Sequence, residues 1–95
     1  MNKYEVIYII DANLEDDPRK ELIDRFNELI AQQGATLDKI DEWGKRHLAY
    51  PIDFQSEGYY VLMHISAPPE FPRELERNFE ISEKVIRYLC VRLDD

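Results

Sequence analysis

The sequence predicts an α+β fold, in which one four-stranded antiparallel sheet carries two helices on one face. Four segments are rich in β-branched and aromatic residues, the composition of β-strands. Two segments between them repeat apolar residues every three or four positions, as amphipathic helices do. The order is βαββαβ within 95 residues, and a chain of this length is expected to form a single domain, residues 1–95.

The chain begins with a strand and a helix. Residues 3–10 (KYEVIYII) have the composition of a strand. Asp17 and Pro18 are expected to be the N-cap and the first residue of a helix, and Gly34 is expected to close that helix at the C′ position. The helix carries a single apolar stripe made of Leu22, Ile23, Phe26, Leu29 and Ile30.

Two strands joined by a turn are predicted for the middle of the chain. Residues 35–49 form the second strand, with Gly44 marking a bulge or bend. Pro51 is expected to end this strand because proline has no amide hydrogen to donate. Residues 53–58 (DFQSEG) predict a turn, and residues 58–67 (GYYVLMHISA) predict a third strand.

The last part of the chain repeats the pattern of the first. Residues 68–72 (PPEFP) interrupt the third strand and start a shorter helix. Its apolar positions follow at intervals of four: Phe71, Leu75 and Phe79. Residues 81–84 (ISEK) form a turn, and residues 85–93 (VIRYLCVRL) form the fourth strand.

With right-handed crossovers, these elements form a ferredoxin-like βαββαβ sandwich. The first and third strands then lie in the centre of the sheet, and the second and fourth lie at its edges. The helices cover one sheet face only. Both sets of alternating residues in the first strand are largely apolar, so either choice leaves apolar groups on the uncovered face. That face is expected to bind a partner.

The charge is unevenly distributed. The chain has 20 acids and 12 Lys or Arg, a net charge of −8, which argues against non-specific binding of nucleic acid by the whole surface. Residues 11–28 hold seven acids and three bases, and residues 68–83 hold five acids and two bases, so the predicted helices carry most of the negative charge. Residues 44–52 (GKRHLAYPI) contain no acid and have a net charge of +2.

This basic window favours a binding role. Lys45 and Arg46 can approach phosphates, and the rings around them can stack on bases or pack against protein: Trp43, His47 and Tyr50. The alternative is that the charges and the proline protect an edge strand against aggregation. Composition alone weights the two about equally, and the absence of acids favours binding slightly.

The window also resembles a family-specific motif. Residues 44–52 match Gly-x-(Arg or Lys)-x-Leu-Ala-Tyr-Pro-Ile, a run typical of the sixth protein of the bacterial small ribosomal subunit. The opening Tyr4-Glu5 and the Gly58-Tyr59 start of the third strand are similar too. The resemblance covers nearly the whole chain.

The resemblance implies a ferredoxin-like fold and a non-catalytic structural role in the cytoplasmic ribosome. It implies binding to the central domain of the small-subunit ribosomal RNA, as a heterodimer with the eighteenth small-subunit protein. Arg46 matches a basic position of the motif, whereas His47 stands where arginine is frequent and replaces a permanent charge by one that titrates near neutral pH. The residues expected to contact RNA are Lys45, Arg46 and His47, with Lys3, Arg87 and Arg92 as weaker candidates. Those expected to contact the partner are Trp43, Tyr50, Pro51 and Tyr59.

Other functions are less well supported. An RNA-recognition module has the same element order, but residues 57–62 (EGYYVL) lack the basic and small residues of its motif. A regulatory module that dimerises through its open sheet face remains an alternative. An enzyme acting on phosphates would need a glycine-rich cradle after the first strand, where the sequence has the acidic DANLEDD.

The remaining reactive residue types predict structural roles. His64 is expected to be a satisfied structural histidine, and Cys90, between Leu89 and Val91, an inert buried thiol. The acids at 15–17 are expected to cap a helix. No metal, cofactor or small-molecule substrate is expected. No leader pattern or apolar run of about 18 residues is present, so we expect neither secretion nor a membrane span.

Overall fold

The computed structural model describes residues 1–52 and 55–93, with the side chains of all of these except 51, 52 and 55. Six elements follow one another in the predicted order. They are β1 (Asn2–Asp11), α1 (Asp16–Gln32), β2 (Thr36–Ile52), β3 (Gln55–Ala67), α2 (Phe71–Ile81) and β4 (Val85–Leu93). No helix in these ranges is both long and apolar enough to cross a membrane.

The four strands form one antiparallel sheet in the order β2-β3-β1-β4. The ferredoxin-like prediction is therefore confirmed, with β1 and β3 in the centre and β2 and β4 at the edges. Both helices pack on the same face. On that face β1 presents one of its two alternating sets, which is buried: Tyr4, Val6, Tyr8 and Ile10.

Four aromatic rings form the centre of the core between helices and sheet. The Phe79 ring of α2 lies with its centroid 4.8 Å from the rings of Tyr8 and Phe26. Tyr88 of β4 extends the cluster, 5.5 Å from Phe79. Because such rings bury large apolar areas and prefer these tilted and edge-on geometries, they fix both helices to the sheet.

The N-terminus of α1 differs from the prediction, whereas its C-terminus agrees with it. The helix begins at Asp16, with Glu15 rather than Asp17 as N-cap. Pro18 thus lies in the first turn, where an amide hydrogen would have no partner inside the helix. Gly34, at φ +76°, closes the helix at C′ as predicted. Its amide donates to the Ala31 carbonyl and that of Ala35 to Ile30, which satisfies two terminal carbonyl groups.

The β2–β3 hairpin is longer than predicted. Pro51 was expected to end β2, which is wrong, because the strand continues to Ile52. The ladder has a register shift between the pairs His47↔Glu57 and Ile52↔Gln55, so the proline lies where regular pairing is interrupted and its missing donor does not break the ladder. β3 begins at Gln55, so the predicted turn at 53–58 is reduced; its residues 53 and 54 lie outside the described residues.

Stability should decrease in alkaline solution. Burial, and secondarily the charge of Glu76, raises the pKa of the half-buried Cys90 thiol from an ordinary 9.0 to about 11. Between these values the unfolded chain has released a proton that the folded chain retains, so the free energy of unfolding falls as pH rises. Urea titrations measure the free energy of unfolding at pH 7.5 and at pH 10. The decrease between the two should be smaller for Cys90→Ala than for the unaltered protein. Equal losses would contradict this assignment.

Candidate nucleic-acid and partner interface

The sheet face turned away from the helices, called the open face below, is partly apolar. Because side chains alternate along a strand, it is formed by the residues of the four strands whose side chains point away from the helices. Leu89 and Val91 of β4 are 58% and 44% exposed on it. At its centre the Glu5 carboxylate and the His64 ring lie 3.1 Å apart across β1 and β3, which accords with a structural role for His64.

Gly44 creates a bulge that determines which residues reach the open face. Its φ is +85°, a conformation that glycine adopts at little cost, and the β2–β3 register shifts between Glu42 and Gly44. Trp43 is the extra residue of the bulge. Its ring stacks on Tyr60 of the open face, with centroids 6.1 Å apart, and its indole Nε1 donates to Asp41 Oδ2.

The basic window is divided between the two sheet faces. Arg46 pairs with Gly58 and reaches the open face, where its Cζ lies 5.5 Å from the Trp43 ring centroid. Lys45 pairs with Tyr59 on the helix side and lines a concavity beside Asp16 and Asp17 of α1. His47 is exposed and follows the parity of Lys45.

Arg87 and Arg46 lie at the same end of the open face, the end at which the β2–β3 hairpin closes, called the hairpin end below. The guanidinium Nη1 of Arg87 donates to the Tyr50 hydroxyl over 2.9 Å, and its Cζ lies 5.8 Å from that ring. Tyr50 belongs to β2 and Arg87 to β4, so the far part of the hairpin reaches the opposite edge of the sheet. The hydrogen bond from Arg87, and then its charge, lowers the pKa of the Tyr50 phenol.

Two of the weaker RNA candidates lie at the other end of the sheet. Lys3 and Arg92 are both exposed near the start of β1 and the end of β4. Arg92 Nη2 donates to Asn2 Oδ1 over 3.3 Å. Lys3 and Ile9 are six residues apart along β1, about 20 Å in a strand, so these groups are separate from the Arg46–Arg87 end.

The four residues predicted to contact the partner are also dispersed. Trp43 and Tyr50 lie at the hairpin end of the open face, exposed by 38% and 59%. Tyr59 faces the helices, where its hydroxyl donates to Glu42 and the Arg19 guanidinium lies 4.1 Å over its ring. The side chain of Pro51 lies outside the described residues.

Two more residues shape this site, and neither was predicted as a site residue. Tyr60 provides the ring on which Trp43 stacks, and Gly58 leaves room for Ile9, whose Cγ2 would collide with any added Cβ. The strand alternation of β3 was the available signal, but it could be used only once the parity of the buried set was known.

Potential metal ligands are not clustered in the part of the chain that the structure describes. No group of three or more potential metal ligands exists among the described residues. The raised pKa of Cys90 keeps its thiol protonated at neutral pH, in accord with an inert role.

Comparisons with known proteins identify the family. The family model described as "Ribosomal protein S6" matches residues 3–92. The chain belongs to the ribosomal protein S6 family. It is 50% identical over 95 residues, the full length of both chains, to the small ribosomal subunit protein bS6 of Caldanaerobacter subterraneus subsp. tengcongensis. It is 46% identical over 94 residues, 99% of each chain, to that of Alkaliphilus oremlandii.

A solved structure agrees with this assignment. The crystal structure of 30S ribosomal protein S6 from Thermotoga maritima superimposes with a TM-score of 0.92 at 27% identity, covering 97% of this chain and 87% of that one. Membership of the S6 family confirms the predicted family and the predicted location in the cytoplasmic ribosome. It also implies a structural rather than an enzymatic role in the small subunit.

Proposed function

We propose that this S6-family protein binds the central domain of the small-subunit ribosomal RNA through the hairpin end of its sheet. The observation that supports this most strongly is the pair of exposed guanidinium groups, Arg46 and Arg87, each beside an exposed aromatic ring. Arginine forks suit phosphate oxygens, and rings beside them suit unpaired bases. Lys45, His47, Lys3 and Arg92 remain secondary candidates, because they lie on the helix side or at the far end.

The protein partner is proposed to be the eighteenth small-subunit protein. The apolar part of the open face offers a surface for it, with Leu89 and Val91 exposed beyond the hairpin end. Trp43, Tyr50 and Pro51 are proposed to border this surface, and Tyr59 is proposed as an additional contact from the helix side. A net charge of −8 leaves few phosphate contacts to this chain, so a basic partner would supply most of the others.

Replacing Arg46 with Ala should reduce incorporation of the protein into small subunits. The exposed side chain makes a cation–π contact rather than a core contact, so the far-ultraviolet circular dichroism should stay that of the folded protein. The measurement is co-sedimentation of tagged protein with small subunits in cells that also make the untagged form. We expect the tagged variant to be recovered at about one-tenth of the wild-type amount.

Arg73→Ala on α2 is the matched control, because it removes the same charge from the helix side of the domain. Equal recovery of the Arg46 and Arg73 variants would contradict the proposal. Loss of the folded spectrum in the Arg46 variant would instead show that Arg46 is structural.

The alternative is a module that dimerises through the open face. The exposure of Leu89 and Val91 favours a protein contact there without specifying the partner. Sedimentation of the purified protein distinguishes the two. A monomer is expected if the surface awaits a different protein, and a dimer that Leu89→Asp dissociates would support the alternative.

A further inference from the structure

We infer that Trp43 and Tyr50 are positioning residues, which hold the guanidinium groups of Arg46 and Arg87 as a pre-formed pair for two phosphates of one RNA backbone. The inference rests on the proposed function, since it assumes that the hairpin end of the open face meets RNA. It adds a role for the two rings that does not depend on the protein partner.

The first pair depends on the bulge. Trp43 and Arg46 are three positions apart, so in a regular strand they would point to opposite faces. The bulge at Trp43 and Gly44 brings them to the same face, where the Arg46 Cζ lies 5.5 Å from the ring. Among the described residues no carboxylate lies within salt-bridge distance of Arg46, and its guanidinium group faces the Trp43 ring.

The Trp43 ring is itself held independently of Arg46. It stacks on Tyr60 at an interplanar angle of 16°, and its Nε1 donates to Asp41 over 3.2 Å. A ring fixed by two neighbours can serve as a support for a third group. Removing Arg46 should therefore leave Trp43 in place, whereas removing Trp43 should release Arg46.

The second pair lies at the opposite edge of the same face, where Arg87 is in the row of the sheet that begins at the bulge. Gly44, Tyr60, Ile9 and Arg87 are successive register partners from β2 to β4. Tyr50 holds Arg87 in two ways, through the 2.9 Å hydrogen bond to its hydroxyl and through the ring 5.8 Å from Cζ. The structure describes no carboxylate within salt-bridge distance of Arg87 either.

This arrangement has two consequences for the ligand. The two arginines lie on the outer strands, three strand spacings apart and offset by two residues along the strands, so their Cα atoms are about 16 Å apart and they contact different phosphates. An arginine side chain that is already held loses less conformational freedom on binding, so the same charge binds more tightly. The site therefore suits an extended stretch of backbone phosphates rather than a single phosphate group.

A double-mutant cycle tests the inference. The affinity for the central-domain RNA fragment is measured with the eighteenth small-subunit protein at saturating concentration. Trp43→Ala should weaken binding about fivefold. In a protein that already carries Arg46→Ala, Trp43→Ala should have no further effect, because the group that it positions is gone.

Arg87→Ala provides the matched control. Trp43→Ala and Arg87→Ala affect different pairs, so their losses should multiply, and Trp43→Phe should restore part of the affinity by restoring a ring. Tyr50→Ala should have no further effect on the affinity in a protein that already carries Arg87→Ala. In a protein that carries Arg46→Ala, its loss of affinity should multiply with that of Arg46→Ala.

A failure of this inference can be distinguished from a failure of the proposed function. If the losses of affinity caused by Trp43→Ala and Arg46→Ala multiplied, Trp43 would bind RNA or protein directly. That result would overturn this inference and leave the proposed function intact. Absence of salt-dependent binding by the unaltered protein would overturn the proposed function, and this inference with it.

Discussion

Replacing Phe79 with Ala should lower the free energy of unfolding by about 4 kcal/mol. Phe79 is 1% exposed and contacts the rings of Tyr8, Phe26 and Tyr88. Its loss leaves a cavity between α2 and the sheet, because rings held on three different elements cannot all move inward. Small domains are stable by only about 5–15 kcal/mol, so this variant should retain little stability.

Urea titration followed by circular dichroism measures this effect. Ile81→Ala is a suitable control, since Ile81 lies on the same helix but is 68% exposed. Its free energy of unfolding should change by less than about 0.5 kcal/mol. A loss below about 1 kcal/mol for Phe79→Ala would mean that the four rings are not the centre of the core.

Removing both guanidinium groups should weaken RNA binding about a hundredfold, since each charge-assisted hydrogen bond contributes about 1.5 kcal/mol or more. The variant is Arg46→Ala with Arg87→Ala, titrated with the central-domain RNA fragment in the presence of the partner protein. The plot of log affinity against log salt concentration should also become shallower by about two units, one for each lost phosphate contact.

A second double variant controls for charge. Arg73→Ala with Arg77→Ala changes the net charge equally but alters α2, on the opposite side of the domain. Its affinity and salt dependence should remain close to those of the unaltered protein. If both double variants lost affinity equally, net charge rather than the hairpin end would explain binding.

The order of elements could be predicted because the relevant signals are local. The apolar stripe specifies the helix α1, and Gly34 specifies where it ends, without reference to the rest of the chain. The strand composition of β1 and β4 is equally local. With two one-sided helices and four strands, right-handed connections leave few topologies, and the ferredoxin-like one was therefore predictable.

The geometry of the site was less predictable because it depends on parity and on contacts distant in sequence. Gly44 indicated a bulge, but only the register shows that Arg46, and not Lys45, reaches the open face. The contact of Tyr50 with Arg87 joins residues 37 positions apart and has no local signal. The prediction that Pro51 ends β2 was wrong for a related reason, because a proline interrupts a strand only where its amide would have to donate to the ladder.

The most direct test is the position of the hairpin end in a small ribosomal subunit purified from the source cell. A cryo-electron microscopy map should place the guanidinium groups of Arg46 and Arg87 about 3 Å from phosphate oxygens of the ribosomal RNA. Residues 44–52 packed away from every nucleotide, or the protein missing from the subunit, would contradict the role proposed for this end of the sheet.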